Sequence, residues 1–211
     1  MAEATYPVLA EVGEGADRTL RLARQAMFVA LGVAALAASA KIQIPMWPSP
    51  VPITLGTFAV LSIAAAYGPR LGLVTILAYM GLGALGADVF AGSSGTRNGL
   101  AYMMGTTGGY LLGYVLATAA LGLLARRGWD RSVLWMALAM LLGNALIYVP
   151  GVLWLYVMVT GGLFDPAKFA SPWAQTLQWG LVPYLIGDAL KLALAALLLP
   201  ALWKLVGDAR A

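Results

Sequence analysis

Inside the apolar run QWGLVPYLIGDALKLALAALLLPALWKL (178–205) stand one carboxylate, Asp188, and one amine, Lys191. Three residues apart on a helix, the two project from one face. When ionised, the first only accepts hydrogen bonds and the second only donates them, so two chemistries are open to them. They can neutralise each other and stitch this helix to a neighbour. Alternatively they form the polar corner of an outward-opening pocket with apolar walls, which suits a small neutral ring carrying both donors and acceptors, such as a cyclic urea or amide. A charged group at the centre of a membrane helix costs about 2.5–3.5 kcal/mol, which argues against a pair that touches lipid alone.

Other side chains have the chemistry to complete such a pocket. Asn144 offers two donors and an acceptor, although an interhelical hydrogen bond would use it equally well. Arg97, beside Asn98 in a Gly/Ser-rich loop, is the nearest guanidinium for a carboxylate; the plain alternative is a solvated loop arginine. Trp47, Tyr102 and Tyr110 have the size to wall a cavity or to sit in an interfacial belt. Cys and His are absent, which removes thiol nucleophiles, disulfides and most zinc or copper sites; no metal, cofactor or catalytic residue is expected. Without a GxxxxGK[ST] loop, ATP-driven work would need another polypeptide.

Membrane helices must position these groups. Of 211 residues, 61% are hydrophobic and 10% charged, far from the balance of a soluble domain, and about 20 apolar residues carry a helix across a bilayer. The expected fold is an all-α integral membrane protein with six transmembrane helices: 26–40, 53–66, 71–87, 105–125, 132–149, and a last span from near Pro183 to Lys204. Pro150 and Gly151 are read as interrupting the apolar run after the fifth. In the last span Asp188 falls about 8 Å and Lys191 about 12 Å below the outer surface. Residues 1–25 read as a polar leader with a short amphipathic helix capped by Asp17, 26–205 as the transmembrane substrate-binding domain, and 206–211 as a tail. The 26–40 run also has the pattern of a signal-peptide core, but its leader is long for one.

Charge sets the orientation. With the N-terminus inside, Arg18, Arg21, Arg24, Arg70, Arg126, Arg127, Arg131, Lys204 and Arg210 face the cytoplasm, nine of thirteen Lys and Arg, so an N-in, C-in topology is favoured. The net charge of +4 then reflects topology and does not point to nucleic acid. Ala26, Ala30, Ala34 and Ala38 form a ridge of small residues in the first span, and Gly105, Gly109, Gly113 and Ala117 form another in the fourth. Such ridges let helices approach closely. The glycine ridge suits packing within the bundle, whereas the alanine ridge, on a helix at its edge, is free for a partner subunit or a second copy of the chain. No internal repeat of the kind built into many self-sufficient transporters is visible.

VPITLGTF (51–58), VFAGSSGTRNGLAYM (89–103), GTTGGYLLGY (105–114) and GDALK (187–191), in this order and spacing, resemble the BioY family, the biotin-specific substrate-binding subunits of energy-coupling-factor vitamin transporters. The resemblance covers the chain from about residue 24 onward. It implies a six-helix bundle in the bacterial cell membrane that captures biotin from outside with high affinity. Its implied partners are a transmembrane coupling subunit and two cytoplasmic ATPases, docked through the surface of Ala30, Ala34 and Ala38. It also implies that Asp188 and Lys191 meet the ureido ring and that the valerate tail points to the outer loops. The sequence departs from the family pattern at Gly56, where many relatives have Gln, and at Thr106, where many have Pro; no side-chain contact from the second span is therefore carried over.

The resulting expectation is a substrate-capture subunit for biotin, not an enzyme. A self-sufficient biotin or related vitamin facilitator, with the Asp188–Lys191 pair as a gate or proton-coupled switch, is the alternative. A membrane enzyme ranks third, because no second catalytic carboxylate lies inside a span.

Overall fold

A computed structural model of the chain describes residues 6–13, 15, 17–45, 47, 49–95, 97–165 and 170–206. Lys168, Arg210 and most of the expected tail lie outside them. The elements are α1 (Arg18–Lys41), β1 (Gln43–Ile44), β2 (Ile53–Thr54), α2 (Gly56–Ala84), α3 (Gly99–Met103), α4 (Gly108–Arg126), α5 (Val133–Thr160), α6 (Pro172–Gly180) and α7 (Leu185–Leu205). β1 and β2 pair antiparallel, Gln43 opposite Thr54. Among the described residues five helical stretches are long and apolar enough to cross a membrane: α1, α2, α4, α5, and α6 through α7.

The start of α1 is fixed by Asp17, whose carboxylate accepts from the Thr19 and Leu20 amides at 2.7 and 3.4 Å, a regular N-cap. The helix that Asp17 caps is not short, as expected of a lead-in, but continuous: Arg18, Arg21 and Arg24 ride on the helix that contains the first expected span. Before it, the chain at Tyr6–Val12 is held against the bundle. The Tyr6 amide donates to the Arg126 carbonyl at 2.8 Å, Val8 is fully buried, and Arg126 pairs with Glu11.

α2 is two arms. Gly68 has φ +73° and ψ −178°, a conformation that suits glycine, and Pro69 follows without an amide hydrogen. A Cβ added to Gly72 would lie 3.6 Å from the Ala64 Cα, whereas a straight helix would separate the two by about 12 Å. The chain thus folds back at the turn expected from YGPR.

α5, in contrast, does not break where Pro150 and Gly151 suggest. It runs unbroken from Val133 to Thr160 because α4 lies directly against that turn. Cβ atoms on Gly109 and Gly113 would come within 2.3 Å of the Pro150 carbonyl oxygen and 2.6 Å of the Ile147 Cα. Backbone packing of this kind replaces what the missing amide loses, and the glycine ridge is its α4 side. The alanine ridge differs: Ala26, Ala30, Ala34 and Ala38 are not buried in the bundle.

The closing segment bends between α6 and α7. Ser171 caps α6 through the Ala174 amide at 3.3 Å, and a 3-10 turn at Val182–Tyr184 holds Pro183. α7 therefore begins at Leu185, two residues later than Pro183 suggests, with Asp188 in its first turn.

Candidate ligand-binding site

Asp188 and Lys191 meet as an ion pair, Nζ to Oδ1 at 2.8 Å, with side chains only 7% and 13% exposed. A buried pair needs further hydrogen bonds to offset its lost hydration, and three elements provide them. Lys191 Nζ donates to the Thr54 carbonyl at 2.7 Å and to Thr57 Oγ1 at 3.3 Å. Thr57 Oγ1 in turn donates to Asp188 Oδ1 at 3.3 Å, and the Tyr148 hydroxyl donates to Asp188 Oδ2. The ammonium thus spends all three protons. The carboxylate accepts three bonds of the roughly four its lone pairs allow.

The pair lines a cavity of about 80 Å³, several times the space one water requires. Its walls are aromatic: Tyr79, Phe90, Tyr102, Tyr110, Tyr114, Tyr148 and Tyr184 all contribute. Most of the hydroxyls tie the wall to nearby backbone. Tyr110 donates to the Gly180 carbonyl at 2.7 Å, Tyr79 to Val89 at 3.0 Å, Tyr102 to Ala91, and Tyr184 to Val51 and Trp179 at 2.5 and 2.9 Å. Polar tips are thereby consumed and the rings present their apolar faces. Gly56 sits where a Cβ would come 2.9 Å from the Tyr114 hydroxyl, so its lack of a side chain leaves room for that ring.

One side of the cavity is closed by the 88–93 loop. Phe90 stacks on Tyr102 with centroids 5.0 Å apart and packs edge-on against Tyr79 at 5.3 Å. Lys41, at the end of α1, clamps this loop: Nζ lies 2.6 Å from Asp88 Oδ1, and Ser93 Oγ donates to the same carboxylate at 2.6 Å. Hydrogen bonds from Lys41 and Ser93 hold the Asp88 carboxyl below its usual pKa.

Of the side chains singled out from sequence, Asp188, Lys191, Tyr102 and Tyr110 line this one cavity, and Trp47, Arg97, Asn98 and Asn144 do not. Trp47 is 94% exposed, standing between β1 and β2 as a belt tryptophan would. Arg97 is exposed and exchanges backbone bonds with Ser94 at 3.1 Å. Asn98 precedes α3 without a side-chain cap. Asn144 lies one turn from Tyr148 on α5, its Oδ1 buried with no partner among the described residues.

Thr57, Tyr148 and the Thr54 carbonyl, which hold the pair, are not among the groups expected from sequence. The second span does supply a side-chain contact, through Thr57 and not through position 56. Thr57 lies within the VPITLGTF motif, and Tyr148 falls four residues after Asn144 on one helical face; both signals are present but unspecific.

Residues 10–208 match the BioY family. The chain is 36% identical over 176 residues to a protein of Pyrococcus horikoshii named "Probable biotin transporter BioY", covering 83% of this chain and 94% of that one. It is 35% identical over 182 residues to "Biotin transporter BioY" of Thermotoga maritima, covering 86% and 97%. Its fold resembles that in "Crystal structure at 2.1 A of the S-component for biotin from an ECF-type ABC transporter", with TM-score 0.68, 20% identity, and 90% of this chain and 95% of that one covered.

Proposed function

The chain belongs to the BioY family, and from that premise we propose that it captures biotin from outside the cell and hands it on unchanged, as the substrate-binding subunit of an energy-coupling-factor transporter. The observation that carries this reading is the buried Asp188–Lys191 pair on the wall of a tyrosine-lined cavity. The fused ureido ring of biotin has two N–H donors and one carbonyl. An N–H takes the lone pair that Asp188 retains. The carbonyl takes the Lys191 proton that now rests on Thr57 Oγ1, the longer of its two contacts outside the ion pair. Such an exchange leaves the ammonium with three hydrogen bonds, gives the carboxylate a fourth and adds no charge, so a neutral ring is preferred over an ion. The apolar tyrosine faces take the sulfur-containing ring and the aliphatic tail.

The finer topology follows the same reading. Counting α2 as two arms gives six crossings, with both termini inside, because Arg18, Arg70, Arg126 and Arg131 gather at the end remote from the cavity. Ala30, Ala34 and Ala38 then face a transmembrane coupling subunit carried by two cytoplasmic ATPases, in a plasma membrane of bacterial type.

Titration calorimetry on the purified chain with biotin, desthiobiotin and biotin methyl ester tests the proposal. Biotin should bind at submicromolar concentration, and the methyl ester reports whether the free carboxylate contributes. No heat of binding with biotin at micromolar concentration would remove the reading.

A further inference from the structure

We propose that an arginine-lined cup at the end remote from the cavity, together with the apolar groove opening from it, binds one anionic phospholipid, its phosphodiester in the cup and an acyl chain along α1. The site rests on the chain being a membrane protein and is independent of what fills the cavity.

The cup carries the charge. Arg18, Arg21, Arg70 and Arg126 line a hollow of about 560 Å³. Arg126 is neutralised by Glu11, the acidic residue of the same lining. Asp17, next to Arg18, directs Oδ1 to the Thr19 and Leu20 amides. Among the described residues Arg18, Arg21 and Arg70 have no ion-pair or side-chain hydrogen-bond partner. Around one hollow, three guanidiniums with no counter-charge among the described residues match a phosphodiester, which they can bind bidentately.

The groove carries the apolar part. It lies between α1 and the second arm of α2 with a volume of about 1030 Å³, and Leu22, Gln25, Leu71 and Val74 line both it and the cup. Gln25, at the cup end, is its one polar lining residue among those described. From Leu22 to Ala37 the groove follows α1 for about 22 Å, more than the roughly 15 Å depth of one hydrocarbon leaflet. Free phosphate would fill the cup and leave the groove. A zwitterionic or neutral lipid would fill the groove and leave the arginines without a net counter-charge. An anionic phospholipid satisfies both, and arginines at a membrane surface favour it electrostatically. Ala30 and Ala34 are in the groove wall, so the lipid covers part of the face proposed for the coupling subunit and must leave before that subunit docks.

The test uses the full chain in nanodiscs of mixed phosphatidylcholine and phosphatidylglycerol, with bound lipid read by native mass spectrometry. Wild type should retain phosphatidylglycerol over phosphatidylcholine by at least about ten-fold, since each arginine near the headgroup favours the anion about five-fold. Arg18→Gln, Arg21→Gln and Arg70→Gln together should bring the ratio to about one, while the three Lys replacements keep most of it. Ala78→Trp, on the α2 wall, should expel the lipid with all arginines in place. Thermal unfolding midpoints show whether each variant is folded, and the Lys and Trp variants decide the matter if the Gln triple is not. Four results would overturn the proposal: no enrichment in wild type, enrichment that survives the Gln substitutions, displacement by excess inorganic phosphate, or lipid retained by a folded Ala78→Trp variant.

Discussion

At the scale of single residues, the site separates two roles that one ion pair can play. Asp188→Asn leaves the Lys191 ammonium buried without its counter-charge, which costs about 3–5 kcal/mol and should weaken biotin binding at least about hundred-fold. Adding Lys191→Met removes the stranded charge. The double variant should therefore regain much of its thermal stability while binding stays lost; binding that returned with stability would make the pair a structural stitch only. Tyr148→Phe deletes the donor that fixes Asp188 Oδ2 and frees that oxygen for water, so affinity should fall roughly ten-fold by calorimetry. At the opposite end, Asp130 is 1% exposed and accepts from Trp203 Nε1 at 2.5 Å. Burial pushes its carboxyl up to about 6 from 3.8. Below about pH 4 both folded and unfolded states are protonated there. As pH rises towards 6 the unfolded chain ionises first, so stability falls across that window and then levels. Asp130→Asn should flatten this limb of a pH-stability curve and raise the unfolding midpoint above pH 6.

At the scale of elements, two glycines predict opposite outcomes. Gly113 meets the α5 backbone, where a Cβ would stand 2.6 Å from the Ile147 Cα and 2.8 Å from its carbonyl oxygen. Backbone cannot swing aside as a side chain can, so Gly113→Ala should push α4 from α5 and cost about 1–3 kcal/mol. Gly81, within the second arm of α2, faces open space: a methyl there would meet nothing within 4 Å. Gly81→Ala should leave stability unchanged or raise it by up to about 1 kcal/mol through lost unfolded-state entropy. Thermal unfolding in detergent compares the two directly. The Lys41–Asp88–Ser93 clamp works at the same scale. It ties the end of α1 to the loop whose Phe90 forms one wall of the cavity.

At the scale of the whole molecule, the two ends do different work. One end gathers tyrosines around a buried pair; the other gathers arginines and pins the leader through Val8, Glu11 and the Arg131 guanidinium stacked 4.2 Å over Trp203 and 4.8 Å over Tyr6. The alanine face of α1 connects the two levels. Ala34 is exposed and outside the cavity lining, so Ala34→Trp should leave the biotin isotherm in place while abolishing ATP-driven uptake in cells that carry the partner subunits. Uptake at the wild-type rate would show that another face docks.

Much of this architecture is written in composition and local pattern. Long apolar runs specify membrane helices whatever they pack against, YGPR specifies the reversal between the α2 arms, and an acid and a base three apart on a helix have to share a face. The site's remaining parts are decided by contacts between segments distant in the chain. Thr57 and Tyr148 reach Asp188 across 131 and 40 residues, and the local signals they carry are too unspecific to single them out from other threonines and tyrosines. Pro150 looks like a break because the sequence shows the missing amide and not the α4 glycines that pack against it. Local chemistry fixed which segments enter the bilayer and which side chains are costly there; only packing in three dimensions chose the partners that make that cost bearable, because hydrogen bonds and close contacts depend on distance in space and not along the chain.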